Sequence, residues 1–281
     1  MSTQVLLVVL FAAVLHALWN AAVKASVRQR LPSAAIFIGA GVVAGTIVPF
    51  VPAPARESWP FLWGSVAVHC AYSIMLGHAY RLGDFSLAYP LMRGLPPLLT
   101  ALIVAAFTEE RMTLAQQAGM FVLCCGVLSL ALEAGIASPG RSLRAAGWAL
   151  MVAVAIGIYT SLDGFGGRSS GTVVGYIAWL CMLEGVCLAA LVAARQGPAT
   201  LLVILRSWKV TILGGLTTLV SYALVIWAMT QAPIPVVAAL RETSVVFAAL
   251  LGVAVFGERL GPVRILAIAL VMGGIFLMRL Y

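Results

Sequence analysis

Apolar residues fill most of the chain, and charges, prolines and glycines divide them into ten runs. The runs cover residues 4–24, 32–51, 60–81, 85–108, 113–132, 145–163, 172–194, 210–230, 233–256 and 262–280. A helix needs about 20 apolar residues to cross a hydrocarbon layer of about 30 Å, and each run suits that length. The pattern therefore predicts an all-α integral membrane protein with ten transmembrane helices.

The connections between the runs are short. The longest covers residues 133–144, where the sequence Ser-Pro-Gly at 138–140 interrupts any helix. None is long enough for a soluble domain. The sequence Met-Ser-Thr-Gln at 1–4 has no basic segment and leads directly into apolar residues, so we expect the first helix to be retained and not cleaved as a signal peptide.

The composition supports the same class of protein. Hydrophobic residues make up 63% of the chain and charged residues only 9%, whereas a soluble domain carries about 25% charged residues. This excludes a water-soluble globule, a disordered chain and a nucleic-acid binder. The net charge of +8 therefore bears on how the protein is oriented in the membrane, because basic residues set the topology of a membrane protein.

The second half of the chain repeats the first. Arg93 and Arg241 each end a short apolar run, and each is followed by an acidic-basic pair, at 110–111 and at 258–259. Both landmarks are separated by the same offset of 148 residues. This predicts two five-helix repeats, residues 1–137 and 138–281. An odd number of spans inserts the copies in opposite orientations, which is the design of many secondary transporters.

Three motifs carry a resemblance to a known family. They are Phe-Thr-Glu-Glu-Arg at 107–111, Phe-Gly-Glu-Arg at 256–259 and His-Ala-Leu-Trp-Asn at 16–20. With ten spans in two halves, the chain resembles the EamA-type transporters of the drug/metabolite transporter superfamily. The resemblance implies small-molecule transport and leaves the substrate open. The second half departs from it, because span 6 offers Tyr159 and Thr160 where span 1 has its His and Asn.

Four charged residues lie well inside the spans: Arg93, Glu184, Arg241 and Glu242. Their formal charges sum to zero, so one interpretation is that they only pair and hold the helices together. The functional interpretation is that the two Arg face one central cavity and bind an anion or a zwitterion. The two Glu would neutralise them in the empty state, and a Glu released from its Arg would couple transport to protons.

Span 1 adds a polar stripe, since His16, Asn20 and Lys24 lie on one helix face beside Trp19. The alternative is one interhelical hydrogen bond, with Lys24 snorkelling to the interface. The predicted substrate site consists of Arg93, Arg241, Tyr89, His16, Asn20, Trp19 and Tyr222, with Glu242 and Glu184 for charge pairing or proton coupling. Aromatic residues near span ends are commonly interfacial anchors, so the other tyrosines of spans 3, 6 and 7 stay outside it.

Prolines and glycines suggest where helices bend or meet. Both Arg-bearing spans contain prolines, which permit kinks: Pro90, Pro96, Pro97, Pro233 and Pro235. Gly41 and Gly45 form a GxxxG pattern in span 2. This pattern permits close helix contact, either within a monomer or across a homodimer.

The orientation has two opposed indications. Eleven basic residues fall in odd-numbered loops and four in even-numbered loops and the C-terminus. The positive-inside rule then places both termini outside, whereas the resembled superfamily suggests termini in the cytoplasm. In either case we expect a multi-pass protein of the cell membrane, in bacteria the inner membrane.

Together these features predict a secondary active transporter of a small polar metabolite, an organic anion or a zwitterion such as an amino acid or aminophosphonate. Alternating access would need no cofactor and no partner besides the substrate, the bilayer and protons. One alternative is an exporter of cationic or aromatic drugs. A membrane-embedded enzyme is less favoured because the candidate catalytic groups lie on different helices with no metal-ligand spacing such as HExxH. The sequence also has no Gly-rich phosphate loop with Lys, so ATP-driven pumping is not supported. A partner subunit also stays open.

Overall fold

The computed structural model describes residues 1–28, 34–82, 85–137, 143–248, 250 and 261–279. Within these ranges, the structure describes only the backbone of residues 19–28, 80–82, 85–89, 131–137, 143 and 145. Helix accounts for 89% of the structure, and the described residues contain no strand. The predicted all-α class is therefore confirmed.

Twelve helices are described in full. Their bounds are α1 (Thr3–Arg28), α2 (Ala35–Ile47), α3 (Trp59–Leu82), α4 (Phe85–Gly94), α5 (Pro96–Phe107), α6 (Leu114–Ala137), α7 (Leu143–Ser169), α8 (Val173–Gln196), α9 (Ala199–Arg206), α10 (Trp208–Gln231), α11 (Ile234–Arg241) and α12 (Pro262–Arg279). Two 3₁₀ turns, Val48–Phe50 and Arg56–Ser58, join α2 to α3. After α11, helical backbone resumes at residue 244 and is described as far as 248.

Six helical segments in the described part of the chain are long and apolar enough to cross a membrane. They are Arg56–Ala79, Pro90–Phe107, Ala146–Ser169, Val173–Gln196, Trp208–Gln231 and Pro262–Arg279, and three shorter apolar helices accompany them. The count of ten stays a prediction, since the span at 233–256 is only partly described. Many large side chains on the outer surface are apolar, such as Phe107 and Leu114, as a lipid-facing surface requires.

Helix pairs that pack together have counterparts when each helix is replaced by its equivalent in the other predicted repeat. Helix α1 packs along α10 as α7 packs along α3, and α2 contacts α10 as α8 contacts α3. Two further pairs, α2 with α8 and α6 with α12, join equivalent helices of the two halves. At the ends of the chain, Arg279 Nη2 donates to Thr3 Oγ1 over 3.4 Å, so both ends lie on one face.

Both Arg-bearing spans are broken just after their Arg. Span 4 divides at Leu95, because Pro96 and Pro97 have no N–H to donate to the carbonyls one turn earlier. Span 9 divides after Arg241, where the amides of Glu242 and Thr243 bond three residues back over 3.0 and 3.1 Å. Span 9 does not break at Pro233 and Pro235, where the sequence suggested a bend, because both prolines lie at the start of α11.

Helix α2 meets α8 backbone against backbone. A Cβ atom added to Gly41 would lie only 2.7 Å from the Cα atom of Gly185, whereas one added to Gly45 would lie 3.8 Å from the nearest atom, in Met182. Of the two roles that GxxxG left open for Gly41, the structure shows contact within the monomer.

Two predicted boundaries are wrong. Span 6 was expected to end at residue 163, but α7 continues for six more residues to Ser169, which places Asp163 inside the helix. Small residues follow Asp163, and the helix can therefore continue against its neighbours. A short helix, α9, occupies what the sequence suggested was a loop.

Candidate substrate-binding site

The two predicted Arg residues meet at one carboxylate in the protein interior. Arg93 Nε lies 2.7 Å from Glu242 Oε2, and Arg241 Nε lies 3.6 Å from Glu242 Oε1. All three side chains are buried, with 7%, 3% and 0% of the side chains of Arg93, Arg241 and Glu242 exposed. We call these residues the Arg–Glu–Arg cluster. Its formal charge is +1, because one carboxylate serves two guanidinium groups.

Hydroxyl groups hold the outer nitrogens of both guanidinium groups. Arg93 Nη2 donates to Ser244 Oγ over 3.2 Å, and Arg241 Nη2 donates to Thr160 Oγ1 over 3.4 Å. Each Arg lies in the last turn of a short helix, α4 or α11. The negative end of the helix dipole favours a cation there, which helps to offset the cost of burying it.

A second cluster surrounds a buried acid that the sequence analysis left outside the site. Asp163 on α7 is fully buried and accepts a hydrogen bond from Tyr176 over 3.0 Å and a short one from Tyr222. The hydroxyl of Ser65 on α3 also bonds to this carboxylate. We call these four residues the Asp163 cluster. It explains why a charged residue can lie in the middle of α7.

Aromatic rings connect the Asp163 cluster to α3. His69 stacks on Tyr159 with ring centroids 4.0 Å apart, and its edge contact with Tyr222 spans 5.9 Å. Tyr72 meets Tyr159 edge-on at 5.7 Å. His69 Nδ1 lies 3.1 Å from Ser65 Oγ, so the ring also adjoins the hydroxyl beside Asp163.

The two clusters are neighbours on α7. Thr160 contacts Arg241, and Asp163 follows Thr160 by three residues, so both face the same side of the helix. Arg241 is also close enough to act electrostatically on Asp163. The arrangement has a positive pole around the two guanidinium groups and a negative, aromatic-lined pole around Asp163.

The remaining predicted residues have different positions. Tyr222 belongs to the Asp163 cluster and not to the surroundings of Arg93. His16 is partly buried on α1, within the electrostatic reach of both Arg. The side chains of Trp19, Asn20 and Tyr89 lie outside the described residues, as does that of Lys24.

Glu184 does not join either cluster. It lies on α8, is 6% exposed, and its Oε1 atom has no hydrogen-bond partner in the described part of the chain. The ion pairs of Arg93 and Arg241 described above are with Glu242, so charge pairing by Glu184 stays a prediction. The charge sum also changes. The described residues contain five buried charges, and with Asp163 included they sum to −1, not zero.

An ion pair that the sequence analysis missed joins the end of α7 to the loop before α6. Arg168, at the end of α7, lies 2.5 Å from Glu110 in the loop before α6. Arg168 also donates to the carbonyls of Met229 and Ala232 over 2.7 and 2.9 Å, and Glu110 accepts from the amide of Ile234 over 2.8 Å. Loops from both predicted repeats thus meet at this pair. The available signal was Glu110, which had served only as a landmark of the repeat.

Comparisons with known proteins agree with the fold. Residues 143–280 match the model of the EamA-like transporter family, which confirms the resemblance seen in the sequence. A solved crystal structure, described only as that of a protein, superposes with a TM-score of 0.74 at 20% identity, covering 99% of this chain and 96% of its own. That likeness concerns the fold alone. The search of curated proteins gives no match.

Proposed function

Since the second half of the chain belongs to the EamA-like transporter family, we propose that this multi-pass membrane protein is a secondary transporter of small organic anions or zwitterions. Its family members are transporters and not enzymes, which sets the general class. The substrate, the alternating-access mechanism and the use of protons belong to the proposal.

One observation carries the proposal: two buried guanidinium groups share one carboxylate, Glu242. Each guanidinium has five N–H donors in a rigid fork that suits a carboxylate or phosphate. A substrate anion can take the place of Glu242 between Arg93 and Arg241, because it offers the same acceptor atoms. The carboxylate of Glu242 thus lies where the acidic group of the substrate would bind.

The Asp163 cluster favours a zwitterion over a simple anion. A substrate whose acidic group lies between the guanidinium groups would direct a nearby amino group towards α7. There it would meet the acid of Asp163 and the faces of Tyr159 and His69, and aromatic faces attract cations. Amino acids and aminophosphonates carry an acidic group and an amino group close together.

The broken helices support alternating access. The Arg–Glu–Arg cluster lies beside the breaks at Leu95 and Glu242, and short helical segments can turn there without unfolding a whole span. In the proposed mechanism, the Glu110–Arg168 ion pair helps to close one face in this state. If this face opened while the opposite face closed, with the two predicted repeats exchanging roles, the substrate would cross the membrane.

The test is uptake by the purified protein in liposomes, with a panel of labelled amino acids, phosphorylated metabolites and quaternary amines. We expect Arg93→Lys and Arg241→Lys to lower anion or zwitterion uptake about ten- to a hundredfold. A hydrogen bond to a charged group contributes about 1.5–3 kcal/mol, and Lys cannot reproduce the fork. Arg195→Lys, on the exposed end of α8, is the matched control. Uptake that both variants leave unchanged would refute the site.

The second candidate is an exporter of cationic or aromatic compounds, which the aromatic surroundings of Asp163 favour. The same panel separates the two. If a quaternary amine is transported and Asp163→Asn abolishes it while Arg93→Lys does not, the cation reading is correct. If Arg93→Lys abolishes transport of an amino acid or a phosphorylated metabolite, the anion or zwitterion reading stands.

A further inference from the structure

Three acids are buried in the described core, and their surroundings differ. Glu242 contacts two guanidinium groups. Asp163 accepts hydrogen bonds from three hydroxyl groups. Glu184 has neither, since no cation contacts it and its Oε1 atom has no donor within the described part of the chain. Of these three acids, only Glu184 has a buried carboxylate oxygen with neither an ion-pair partner nor a hydrogen-bond donor in the described part of the chain.

The groups that face Glu184 cannot balance a negative charge. Helix α2 offers no titratable side chain over Ala35–Ile47. The titratable neighbours are the thiols of Cys70 on α3 and Cys181 on α8, and beyond them Asp163 on α7. Tyr222 on α10 already donates a hydrogen bond to Asp163, and the other nearby thiol, that of Cys187, is hydrogen-bonded to the free thiol of Cys70.

The charge balance gives a second, independent argument. Among the described residues, two buried cations, Arg93 and Arg241, face three buried acids. An unpaired charge is costly to bury, so such a group takes up or loses a proton. Neutral Glu184 brings the sum to zero and leaves both other acids with the donors that they already have.

We propose that Glu184 is the proton-carrying acid of this transporter and that it is a neutral carboxylic acid in the state described here. The inference rests on the proposed function and makes it more specific, because it separates Glu184 from Glu242. Glu242 holds the two guanidinium groups as a carboxylate. Glu184 releases its proton to water on one side of the membrane and takes one from water on the other, so one proton crosses in each cycle.

Helix packing controls when this exchange can occur. Gly185, the next residue, contacts Gly41 backbone to backbone, and Glu184 itself is only 6% exposed. Water reaches the acid only when α2 and α8 separate. Proton release is thereby tied to a change in the arrangement of the two halves.

The first experiment needs no substrate. Infrared spectra of the purified full-length protein at neutral pH should contain the carbonyl stretching band of a neutral carboxylic acid, and the band should shift in D₂O. We expect Glu184→Gln to remove this band, whereas the matched variants Glu242→Gln and Asp163→Asn retain it. Gln has the shape of the neutral acid, so the variant should fold, and Glu184→Met serves if it does not.

Absence of the band from the unmodified protein overturns the proposal. Its loss in Glu242→Gln or Asp163→Asn, with retention in Glu184→Gln, assigns the proton to another acid and also overturns it. These outcomes do not depend on transport, so they are distinct from a failure of the proposed function.

The second experiment uses the labelled amino acid that gives the strongest uptake in the liposome panel. With Glu184→Gln, we expect accumulation driven by a pH gradient to fall at least tenfold, while exchange of labelled for unlabelled amino acid continues. Unchanged accumulation by Glu184→Gln refutes a proton-carrying role. Arg93→Lys, in contrast, should lower both activities.

Discussion

The contact between Gly41 and Gly185 predicts both the direction and the size of a change in the free energy of unfolding. A methyl group added to Gly41 would lie 2.7 Å from the Cα atom of Gly185 and 2.9 Å from the carbonyl oxygen of Cys181. Carbon atoms in ordinary contact are about 3.5–4.0 Å apart. Since both obstacles are backbone atoms, no side chain can turn away, and α2 and α8 must separate by about 1 Å.

Such overpacking costs about 1–3 kcal/mol. We therefore expect Gly41→Ala to lower the free energy of unfolding by that amount. The control is Gly45→Ala, one turn along the same helix, where the new methyl group would meet only the side chain of Met182 at 3.8 Å. There the better helix propensity of Ala should raise the stability by about 0.5–1 kcal/mol. Unfolding of the purified proteins in mixed micelles, titrated with a denaturing detergent, measures both values.

The opposite signs make this comparison decisive. If both variants are stabilised, the helices do not approach closely at Gly41. If both are destabilised equally, the change acts through something that the two positions share, and the specific backbone contact is not the cause.

Three further variants test contacts on which the site depends. Glu110→Gln should destabilise the protein by about 1–3 kcal/mol, because a hydrogen bond to a charged group is lost. The exchanged pair Glu110→Arg with Arg168→Glu should not restore stability, since Arg168 also donates to two backbone carbonyls; full recovery in thermal unfolding would contradict this. Tyr222→Phe leaves Asp163 with one donor fewer and should cost about 1–3 kcal/mol, and no change in the same assay would exclude that bond.

Sequence reasoning was strongest where a regular pattern repeated. The common offset of 148 residues related Arg93 to Arg241, and their side chains do reach one carboxylate. A repeat equates positions in the two halves, and equivalent positions meet near the axis that relates them. The sequence could not show which of the two Glu residues they share, because this depends on how neighbouring helices turn about their own axes.

Sequence reasoning was weakest at the ends of helices. The predicted span 145–163 ends at Asp163, and a charge at the end of a span costs little, so the hydrophobic pattern offered no reason to count Asp163 among the buried charges. Its hydroxyl partners come from α3, α8 and α10, and no local pattern links such distant positions. The Glu110–Arg168 pair was missed for the same reason, since 58 residues separate its members.

Helix α11 has only eight residues and is therefore about 12 Å long. Glu110 bonds to the amide of Ile234 at one end, and Arg241 contacts Glu242 at the other. A ligand that displaces Glu242 thus acts on the same rigid segment that holds the loops together. Thermodynamic linkage is reciprocal. If binding of that ligand favours opening of the loop contact, opening of the contact must strengthen binding of the ligand by the same factor.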